Sequence, residues 1–228
     1  MNDNLRLANF LKINYFLFIM TALYDAFARE FSQTRQKMWW NEFSLLFPLV
    51  EKTDRILDLG CGNGRLRKFL TSEMLLDGNY FGMDASRELL EIARQDFPRD
   101  HFFLGDFTKK FPFGGQNFEV IAAIASFHHL LSPKDQLRFL TECSRVLKPN
   151  GMLFLTSWNV PQKYFWKNFL TFHWKNWRVP FGRDHHERIY RRTSIKELTN
   201  ILKKSGFDVL RCELFENRNF VAIARLKK

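Results

Sequence analysis

Short apolar runs alternate with amphipathic stretches from residue 55 onward. The apolar runs predict five strands, which are RILDLG (55–60), NYFGMDAS (79–86), HFFLGDF (101–107), NFEVIAAIASF (117–127) and GMLFLTSW (151–158). Apolar residues at helical spacing predict the intervening helices, which are 65–75, 87–97 and 132–147. Because strands that alternate with helices form βαβ units, the pattern predicts an α/β fold with a parallel sheet and helices on both faces.

The alternation breaks after the fifth strand, at residues 159–192. It resumes with a predicted helix over 194–205 and predicted strands over 207–214 and 220–226. The break lies at the carboxyl end of the sheet, which is where open α/β folds bind ligands. We therefore expect four segments, which are an N-terminal helical lid (1–50), a core (51–158), a substrate-side insertion (159–192) and a last helix with two strands (193–228).

The N-terminal run NFLKINYFLFIMTALYDAF is apolar but is interrupted by Lys12 and Asn14. Its uncharged part, Ile13–Leu23, is shorter than the ~20 residues that span a bilayer. No cleavage pattern of the A-x-A type follows it. We expect an apolar helix docked on the domain and no transmembrane segment, with a peripheral membrane helix as the alternative.

The charge balance is strongly basic, with 35 Lys and Arg against 24 Asp and Glu and a net charge of +11. Such a balance attracts polyanions, either nucleic acid or an anionic membrane. A Lys-rich surface kept for solubility is the alternative. Charge alone therefore favours a polyanionic partner without naming it.

The three cysteines, Cys61, Cys143 and Cys212, are far apart in the sequence and show no CxxC spacing. An odd, scattered set argues against a disulfide framework and against a zinc site, so no metal is expected. Unpaired cysteines are typical of a reducing compartment. We therefore predict a cytoplasmic protein.

The stretch LDLGCGNGRL (57–66) carries the strongest chemical signal, a predicted strand followed by Gly60, Gly62 and Gly64 at alternate positions and then by a helix. Glycines there allow a tight turn and a close backbone approach to a ligand at a helix N-terminus. The dinucleotide pattern requires G-x-G-x-x-G, so NAD is disfavoured. With Asp58, the stretch resembles motif I of class I methyltransferases that use S-adenosylmethionine (SAM).

Acidic residues follow at the ends of the next two predicted strands. Asp84 is suited to accept hydrogen bonds from both ribose hydroxyls, because an ionised carboxylate is an acceptor only. In the methyltransferase resemblance, Asp106 meets the adenine amino group and Phe107 lies beside the ring. The resemblance implies a Rossmann-like seven-stranded sheet, SAM as cofactor and S-adenosylhomocysteine as product. Further implied cofactor contacts are Tyr24, Cys61, Ala85 and Ala125.

The segment YDAFAREFSQTRQKMWW (24–40) resembles the N-terminal signature of the tRNA wobble-uridine carboxymethyl methyltransferases, which include an AlkB-homologue-fused module and a free-standing yeast enzyme. The matching positions are Tyr24, Asp25, Ala28, Phe31, Ser32, Thr34, Arg35 and Trp39. SFHHL, TSWNV and segments near the C-terminus also resemble this family, so the resemblance covers about 24–226. The departures lie on the presumed acceptor side and are Trp40, Phe181 and 187–190.

The resemblance implies O-methylation of the carboxylate of 5-carboxymethyluridine. That carboxylate is ionised at neutral pH, so alignment matters more than a general base. Arg35, His128 and His129 are the candidates that position the acceptor. Basic and aromatic residues interleave in 159–192, which suits an unstacked nucleotide of the tRNA anticodon loop. The candidate RNA-binding residues are Trp39, Trp158, Arg183, Arg188, Tyr190 and Arg191.

Alternatives remain open at this point. The first alternative is a SAM methyltransferase of a small apolar or carboxylic metabolite, with 159–192 as a hydrophobic cover. The second is a non-catalytic SAM-binding scaffold. Arg35 is then solvated on a capping helix, and either histidine packs in the core with a backbone hydrogen bond. The resemblance also implies a small zinc-binding activator protein, for which Phe10–Met20 offers an apolar docking surface.

Overall fold

The computed structural model describes residues 25, 28, 30, 32, 41–73, 79–161, 164, 175–181 and 186–228. Helices with described ends are α1 (Arg65–Glu73), α2 (Arg87–Asp96), α3 (Pro133–Val146) and α4 (Ile195–Lys204). The strands are β1 (Ile56–Leu59), β2 (Tyr80–Asp84), β3 (His101–Leu104), β4 (Phe118–Ala123), β5 (Leu147–Trp158), β6 (Asn176–Phe181), β7 (His186–Arg191), β8 (Phe207–Phe215) and β9 (Asn219–Leu226).

One seven-stranded sheet forms the core, in the order β3-β2-β1-β4-β5-β9-β8. Strands β1 to β5 pair in parallel, as the alternating pattern predicts. The predicted parallel sheet is wrong for one strand, β9, which runs antiparallel to both β5 and β8, so that β8 again has the direction of β5. Glu216 and Asn217 adopt left-handed backbone angles (φ 46° and 54°) and reverse the chain between β8 and β9.

Apolar residues cover both faces of the sheet, because neighbouring residues of a strand point to opposite sides. Leu57 of β1 packs in a cluster with Phe139 of α3 and Leu198 of α4. Ile56 packs on the other face, in a cluster that includes Leu66 of α1 and residues of α2. The predicted α/β sheet with helices on both faces is therefore confirmed.

Strands β3 and β4 end before the apolar runs that predict them. Strand β3 ends at Leu104 and not at residue 107, so Asp106 lies in the loop that follows. Strand β4 ends at Ala123, and Phe127–His129 form a 3-10 turn instead of its continuation. The chain therefore leaves the sheet earlier and opens a loop layer at the edge where the candidate residues gather.

Residues within the 159–192 insertion form a hairpin of β6 and β7 that lies outside the main sheet. Trp177 and Val179 of β6 are buried, and they lie opposite Tyr190 and Arg188 of β7, which are also buried. Residues between them are more exposed, so the hairpin alternates with a period of two, as a strand with one buried face does. Because Arg188 occupies one of the buried positions of β7, the apolar residues alone do not show this alternation in the sequence.

Part of the predicted lid and the apolar N-terminal run fall outside the described residues. Asp25, Ala28, Glu30 and Ser32 are described, and all four are helical. In the part of the chain that the structure describes, no helix is both long and apolar enough for a membrane crossing. The division into four segments stays a prediction.

Candidate active site

The loop after β1 has the backbone geometry that its glycines predict. Gly60 has φ +82°, and a Cβ built on it would lie 2.7 Å from the Cβ of Ser126. Gly64 has φ +77°, also in the left-handed region. Any larger residue at position 60 would meet both an unfavourable backbone angle and the turn after β4. This loop therefore packs directly on the segment that leads to the two histidines.

Asp84 holds the glycine loop from the end of β2. Its Oδ2 accepts a hydrogen bond from the N–H of Gly62 at 2.8 Å, and its Oδ1 accepts one from the N–H of Ser86 at 2.9 Å. Burial raises the pKa of the Asp84 carboxyl, and these backbone donors act against that rise. Because each oxygen can accept further hydrogen bonds, the carboxylate can meet ribose hydroxyls while it fixes the loop.

One oxygen of Asp106 accepts hydrogen bonds within its own turn. Its Oδ1 accepts hydrogen bonds from the N–H and the hydroxyl of Thr108, at 2.8 and 2.7 Å. Phe107 packs edge-on against Phe139, and its ring lies 3.7 Å from a Cβ built on Gly60. The ring of Phe107 therefore lies beside the glycine loop, whereas the second oxygen of Asp106 forms an ion pair with Nζ of Lys109 at 3.7 Å.

The residues Asp58, Cys61 and Ala125 lie around the same loop. Asp58 is buried and accepts a hydrogen bond from the hydroxyl of Tyr80 at 2.5 Å. Burial raises the pKa of the Cys61 thiol well above its ordinary value, so the thiol stays protonated. Ala125 adopts φ 51°, and its N–H donates to Oγ1 of Thr156 at 2.8 Å. A non-glycine residue in this conformation is held by its surroundings, which is common at functional sites.

The helical N-terminal residues reach this loop through side chains. Oδ1 of Asp25 accepts a hydrogen bond from the hydroxyl of Ser86 at 2.6 Å, and Oγ of Ser32 accepts one from the amide of Asn63 at 2.9 Å. Two positions of the signature segment are thus anchored on the cofactor side of the domain. The candidates Tyr24, Arg35, Trp39 and Arg183 lie outside the described residues, and their roles stay predictions.

An aromatic cluster joins β5, β7 and the 3-10 turn, on the side where the sequence predicts the acceptor. Ring centroids of His128 and His129 lie 4.6 Å apart, and each lies within 5.1 Å of the Tyr190 ring. Trp158 meets the same tyrosine edge-on, with centroids 5.1 Å apart. Four candidates that are distant in sequence therefore converge at the carboxyl ends of β4 and β5.

Both histidines are neutral at physiological pH. Burial lowers the pKa of His128 well below its ordinary value, and the neighbouring His129 and Arg188 lower it further. Burial and Arg188 lower the pKa of His129 to about 3. The backbone N–H of Trp158 donates to Nδ1 of His128 at 3.1 Å, so the proton of His128 lies on Nε2. His128 thus has the backbone hydrogen bond that the sequence leaves open as an alternative to a catalytic role.

Two arginines of β7 are built into the fold. Arg188 is buried, and its Nη1 lies 3.3 Å from the Tyr190 hydroxyl. Arg191 donates from Nη1 to the carbonyl oxygen of Leu131 at 3.3 Å, which ties the hairpin to the loop after the histidines. Burial lowers the pKa of the Arg191 guanidinium. The Arg188 guanidinium thus lies beside the aromatic cluster, while Arg191 holds β7 to the loop after the histidines.

A cavity of about 280 Å³ borders this cluster, with Trp158 and Phe220 among its lining residues. Lys175 and Glu197 also line it and form an ion pair. The guanidinium of Arg192 lies 4.3 Å above the ring of Trp177. Size and lining therefore suit a single planar ring next to an anionic group.

Two site residues escape the sequence patterns, Tyr80 and Thr156. Tyr80 begins a strand and is wholly buried, so the sequence predicts only an aromatic residue of the core. Its hydrogen bond to Asp58 is visible only in the structure. Thr156 lies in β5, and its hydroxyl accepts a hydrogen bond from the N–H of Ala125, which follows β4. The one available signal was Asp58 itself, because a carboxylate inside a buried strand requires a hydrogen-bond donor nearby.

Comparisons with known proteins agree with this geometry. Residues 57–155 match the family model described as a methyltransferase domain. The chain is 29% identical over 182 residues to demethylmenaquinone methyltransferase from Thermotoga maritima, covering 75% of this chain and 77% of that protein. It is 29% identical over 141 residues to tRNA (carboxymethyluridine(34)-5-O)-methyltransferase from Arabidopsis thaliana, covering 62% of this chain but 33% of that protein.

Among solved structures, the chain resembles one from the complex between the Haloferax volcanii Trm112 methyltransferase activator and a methyltransferase. The TM-score is 0.69 at 20% identity, and the match covers 91% of this chain and 97% of that chain. A likeness at this identity establishes the fold. The seven-stranded sheet is therefore that of the class I methyltransferases, as the resemblance to that family implies.

Proposed function

Because this chain belongs to the SAM-dependent methyltransferases, we propose that it methylates the carboxylate of 5-carboxymethyluridine at the wobble position of tRNA. The proposal depends mainly on one observation, the buried Arg188 beside the rings of Tyr190, His128 and His129. A guanidinium matches a carboxylate, and aromatic faces match a pyrimidine that has left its stack. The 29% identity to the Arabidopsis wobble-uridine enzyme supports the same acceptor.

The cofactor contacts in this proposal come from the loop after β1 and the strand ends beside it. The left-handed glycines and the loop hydrogen bonds of Asp84 form a cradle that fits SAM. Asp106 and Phe107 are proposed for the adenine side, and Ala85 and Ala125 are proposed as further cofactor contacts. SAM supplies an electrophilic methyl group when it is bound. The protein residues hold and orient it and exclude water from the acceptor.

The acceptor needs alignment and no strong base. A carboxylate with an ordinary pKa of ~4 is already ionised at neutral pH. An oxygen of that carboxylate forms a bond to the methyl carbon as the sulfur–methyl bond breaks, and no proton moves. Neutral His128 and His129 suit this step, because they offer ring faces and hydrogen bonds without a competing charge. Arg188 supplies the positive charge that orients the carboxylate.

We further propose that the anticodon loop is held by basic and aromatic residues of the hairpin and of the segments beside it. Trp158 and Phe220 line the cavity next to the aromatic cluster, with Lys175 and Arg192 at its border. Affinity for tRNA should fall steeply as salt rises, because phosphate contacts release counterions. A small zinc-binding activator is proposed as a partner, since the methyltransferase of the Haloferax complex shares this fold.

A second candidate acceptor is a small apolar or carboxylic metabolite in the cytoplasm. The observation that favours it is the Thermotoga quinone-type relative, whose alignment covers more of this chain than the wobble-uridine relative does. In that case the aromatic cluster encloses an apolar ring. A non-catalytic SAM-binding scaffold is the third, and it predicts binding of SAM without turnover.

Mass spectrometry of tRNA nucleosides from cells with and without the gene tests the proposal. We expect the methyl ester of 5-carboxymethyluridine to disappear, and the free acid to accumulate, when the gene is removed. Purified protein should restore the ester in the extracted tRNA when SAM is added. Unchanged tRNA nucleosides together with an altered small-molecule profile would favour the metabolite acceptor instead.

A further inference from the structure

A buried hydrogen bond links the first two strands beneath the glycine loop. Asp58 on β1 is 2% exposed, and Tyr80 on β2 is 0% exposed. The two strands pair in parallel, with Ile56 opposite Tyr80 and Asp58 opposite Gly82. The hydroxyl of Tyr80 donates to Oδ2 of Asp58 at 2.5 Å. Because a phenol has one proton to donate, this bond commits Tyr80 to that oxygen.

The other oxygen of Asp58 has no hydrogen-bond partner among the described residues. Its Oδ1 is buried and makes no hydrogen bond to any residue that the structure describes. A buried acceptor left in this state is costly, so native proteins rarely keep one without a ligand or water to complete it. Asp58 is two residues before Gly60, and the loop that follows is the cradle for the cofactor. The missing donor is thus expected from the cofactor side.

The charged groups around Asp58 favour a cation. Asp84 of β2 and Arg65 of α1 both act on its carboxyl, with opposite signs. The buried thiol of Cys61 also faces this group and stays neutral, because burial raises its pKa. Two carboxyl groups therefore share one side of the loop with one guanidinium. SAM carries an ammonium group on its methionine part, which offers both the missing donor and the missing positive charge.

We propose that Tyr80 is a positioning residue for the cofactor. Its hydroxyl fixes Asp58 through Oδ2, so that Oδ1 accepts a hydrogen bond from the ammonium group of SAM. The inference rests on the methyltransferase class and not on the acceptor. It therefore stands or falls separately from the wobble-uridine proposal.

A change of protonation follows from this arrangement. Burial raises the pKa of Asp58 to about 7, the Asp84 charge adds to the rise, and the Tyr80 hydrogen bond and Arg65 oppose it. Asp58 without a ligand is therefore partly protonated at neutral pH. When the ammonium group arrives, the carboxyl gives its proton to the buffer and keeps the negative charge. Binding should thus release up to one proton near pH 7, and affinity should rise with pH until Asp58 is ionised.

Calorimetry of the full chain with S-adenosylhomocysteine and 5′-methylthioadenosine tests the proposal. The first ligand carries the ammonium group, and the second lacks the whole aminocarboxyl part. Titrations of wild type in buffers of different ionisation enthalpy report proton release directly and need no variant. We expect release with S-adenosylhomocysteine near pH 7 and none with 5′-methylthioadenosine. Equal proton release with both ligands, or none with either, would overturn the proposal.

The variants Tyr80→Phe and Asp58→Asn separate positioning from support of the fold. We expect Tyr80→Phe to weaken S-adenosylhomocysteine at pH 7 by about tenfold, as the loss of a hydrogen bond to a charged group does. It should also move the pH midpoint of affinity upward, because one influence that lowers the pKa of Asp58 is gone. Affinity for 5′-methylthioadenosine should stay near the wild-type value in both variants. A purely structural tyrosine would weaken both ligands equally and leave the midpoint unchanged, which would refute the inference.

Discussion

The cofactor side and the proposed acceptor side of this domain share the carboxyl edge of one sheet but are built differently. On the cofactor side, Asp84 and Gly62 are joined by a hydrogen bond between groups that follow neighbouring strands. On the acceptor side, His128, Trp158 and Tyr190 meet through ring contacts across the turn, β5 and a separate hairpin. The cofactor side is a polar cradle set by backbone geometry, whereas the acceptor side is an aromatic pocket set by packing. Changes on the two sides should therefore separate cofactor affinity from turnover.

The largest expected effect comes from Gly60→Ala on the cofactor side. The added Cβ would lie 2.7 Å from Ser126 Cβ, at a residue with φ +82°. The backbone angle costs ~1–2 kcal/mol, and overpacking adds ~1–3 kcal/mol. We expect S-adenosylhomocysteine binding to fall below detection in calorimetry and the melting temperature to drop. Gly114→Ala is the matched control, because nothing lies within 4 Å of its added Cβ. Wild-type binding by Gly60→Ala would disprove the cradle.

Next in size is Arg188→Lys, which tests the acceptor side alone. Lysine keeps the charge but loses the planar fork that matches a carboxylate. We expect kcat/KM for carboxymethylated tRNA to fall by about 100-fold, as when a donor aimed at a reacting oxygen is removed. Affinity for S-adenosylhomocysteine should change little.

The control for this change is Arg178→Lys on the same hairpin, where the residue is exposed. Position 178 lies next to Val179, which pairs with Arg188, so both variants alter the same region of β6 and β7. We expect Arg178→Lys to keep wild-type turnover. If both variants lose turnover alike, the effect comes from the hairpin as a whole and not from Arg188.

A third test uses the neutral histidines. His129 has its pKa lowered to about 3 and His128 is lowered as well, so the unfolded chain binds more protons than the folded one as pH falls below 6.5. Their contribution to the free energy of unfolding should therefore be lost as pH drops, by at most ~1.4 kcal/mol per pH unit for each. Asp58, with its raised pKa, acts in the opposite direction. Variants must therefore be compared with wild type at each pH.

Chemical denaturation between about pH 5 and about pH 7 measures this difference. We expect His129→Gln to lose less stability than wild type as pH falls. His101→Gln, an exposed histidine on β3, is the control and should follow wild type. Parallel curves for His129→Gln and wild type would show that the aromatic cluster does not hold the ring neutral.

The smallest expected effect is that of Thr156→Val, which acts between the two sides. The N–H of Ala125 loses its acceptor, so unfolding should cost ~1–2 kcal/mol less. Thr141→Val is the control, because its exposed hydroxyl bonds only within α3. A change within ~0.5 kcal/mol for both variants would mean that Thr156 does not hold the turn.

The two sides also differ in what the sequence predicts. The glycine loop, Asp84 and the order of β1 to β5 follow from residues close together in sequence, and the structure has them in those places. Contacts between distant residues could not be predicted in this way. Tyr80 is a buried aromatic until Asp58 is seen beside it, and Trp177 meets Tyr190 only once the β6–β7 hairpin forms.

The antiparallel pairing of β9 could not be predicted for a related reason. Alternation of strands and helices continues through α4 to β8, which has the direction of β1 to β5, and the pattern alone gives no direction to β9, the strand after it. The turn at Glu216 and Asn217 sets the direction of β9 through left-handed backbone angles, which asparagine adopts more readily than glutamate. The three glycine positions, by contrast, signal their backbone angles in the sequence.

The most direct measurement for the central claim is single-turnover methylation of tRNA with and without the carboxymethyl group on its wobble uridine. Protein in excess, SAM with a labelled methyl group and two otherwise identical tRNAs provide the comparison. The acceptor side described here predicts transfer only to the carboxymethylated tRNA, as a methyl ester that mild base removes. Equal transfer to both tRNAs, or a base-stable product, would contradict a site built around Arg188 and the carboxylate.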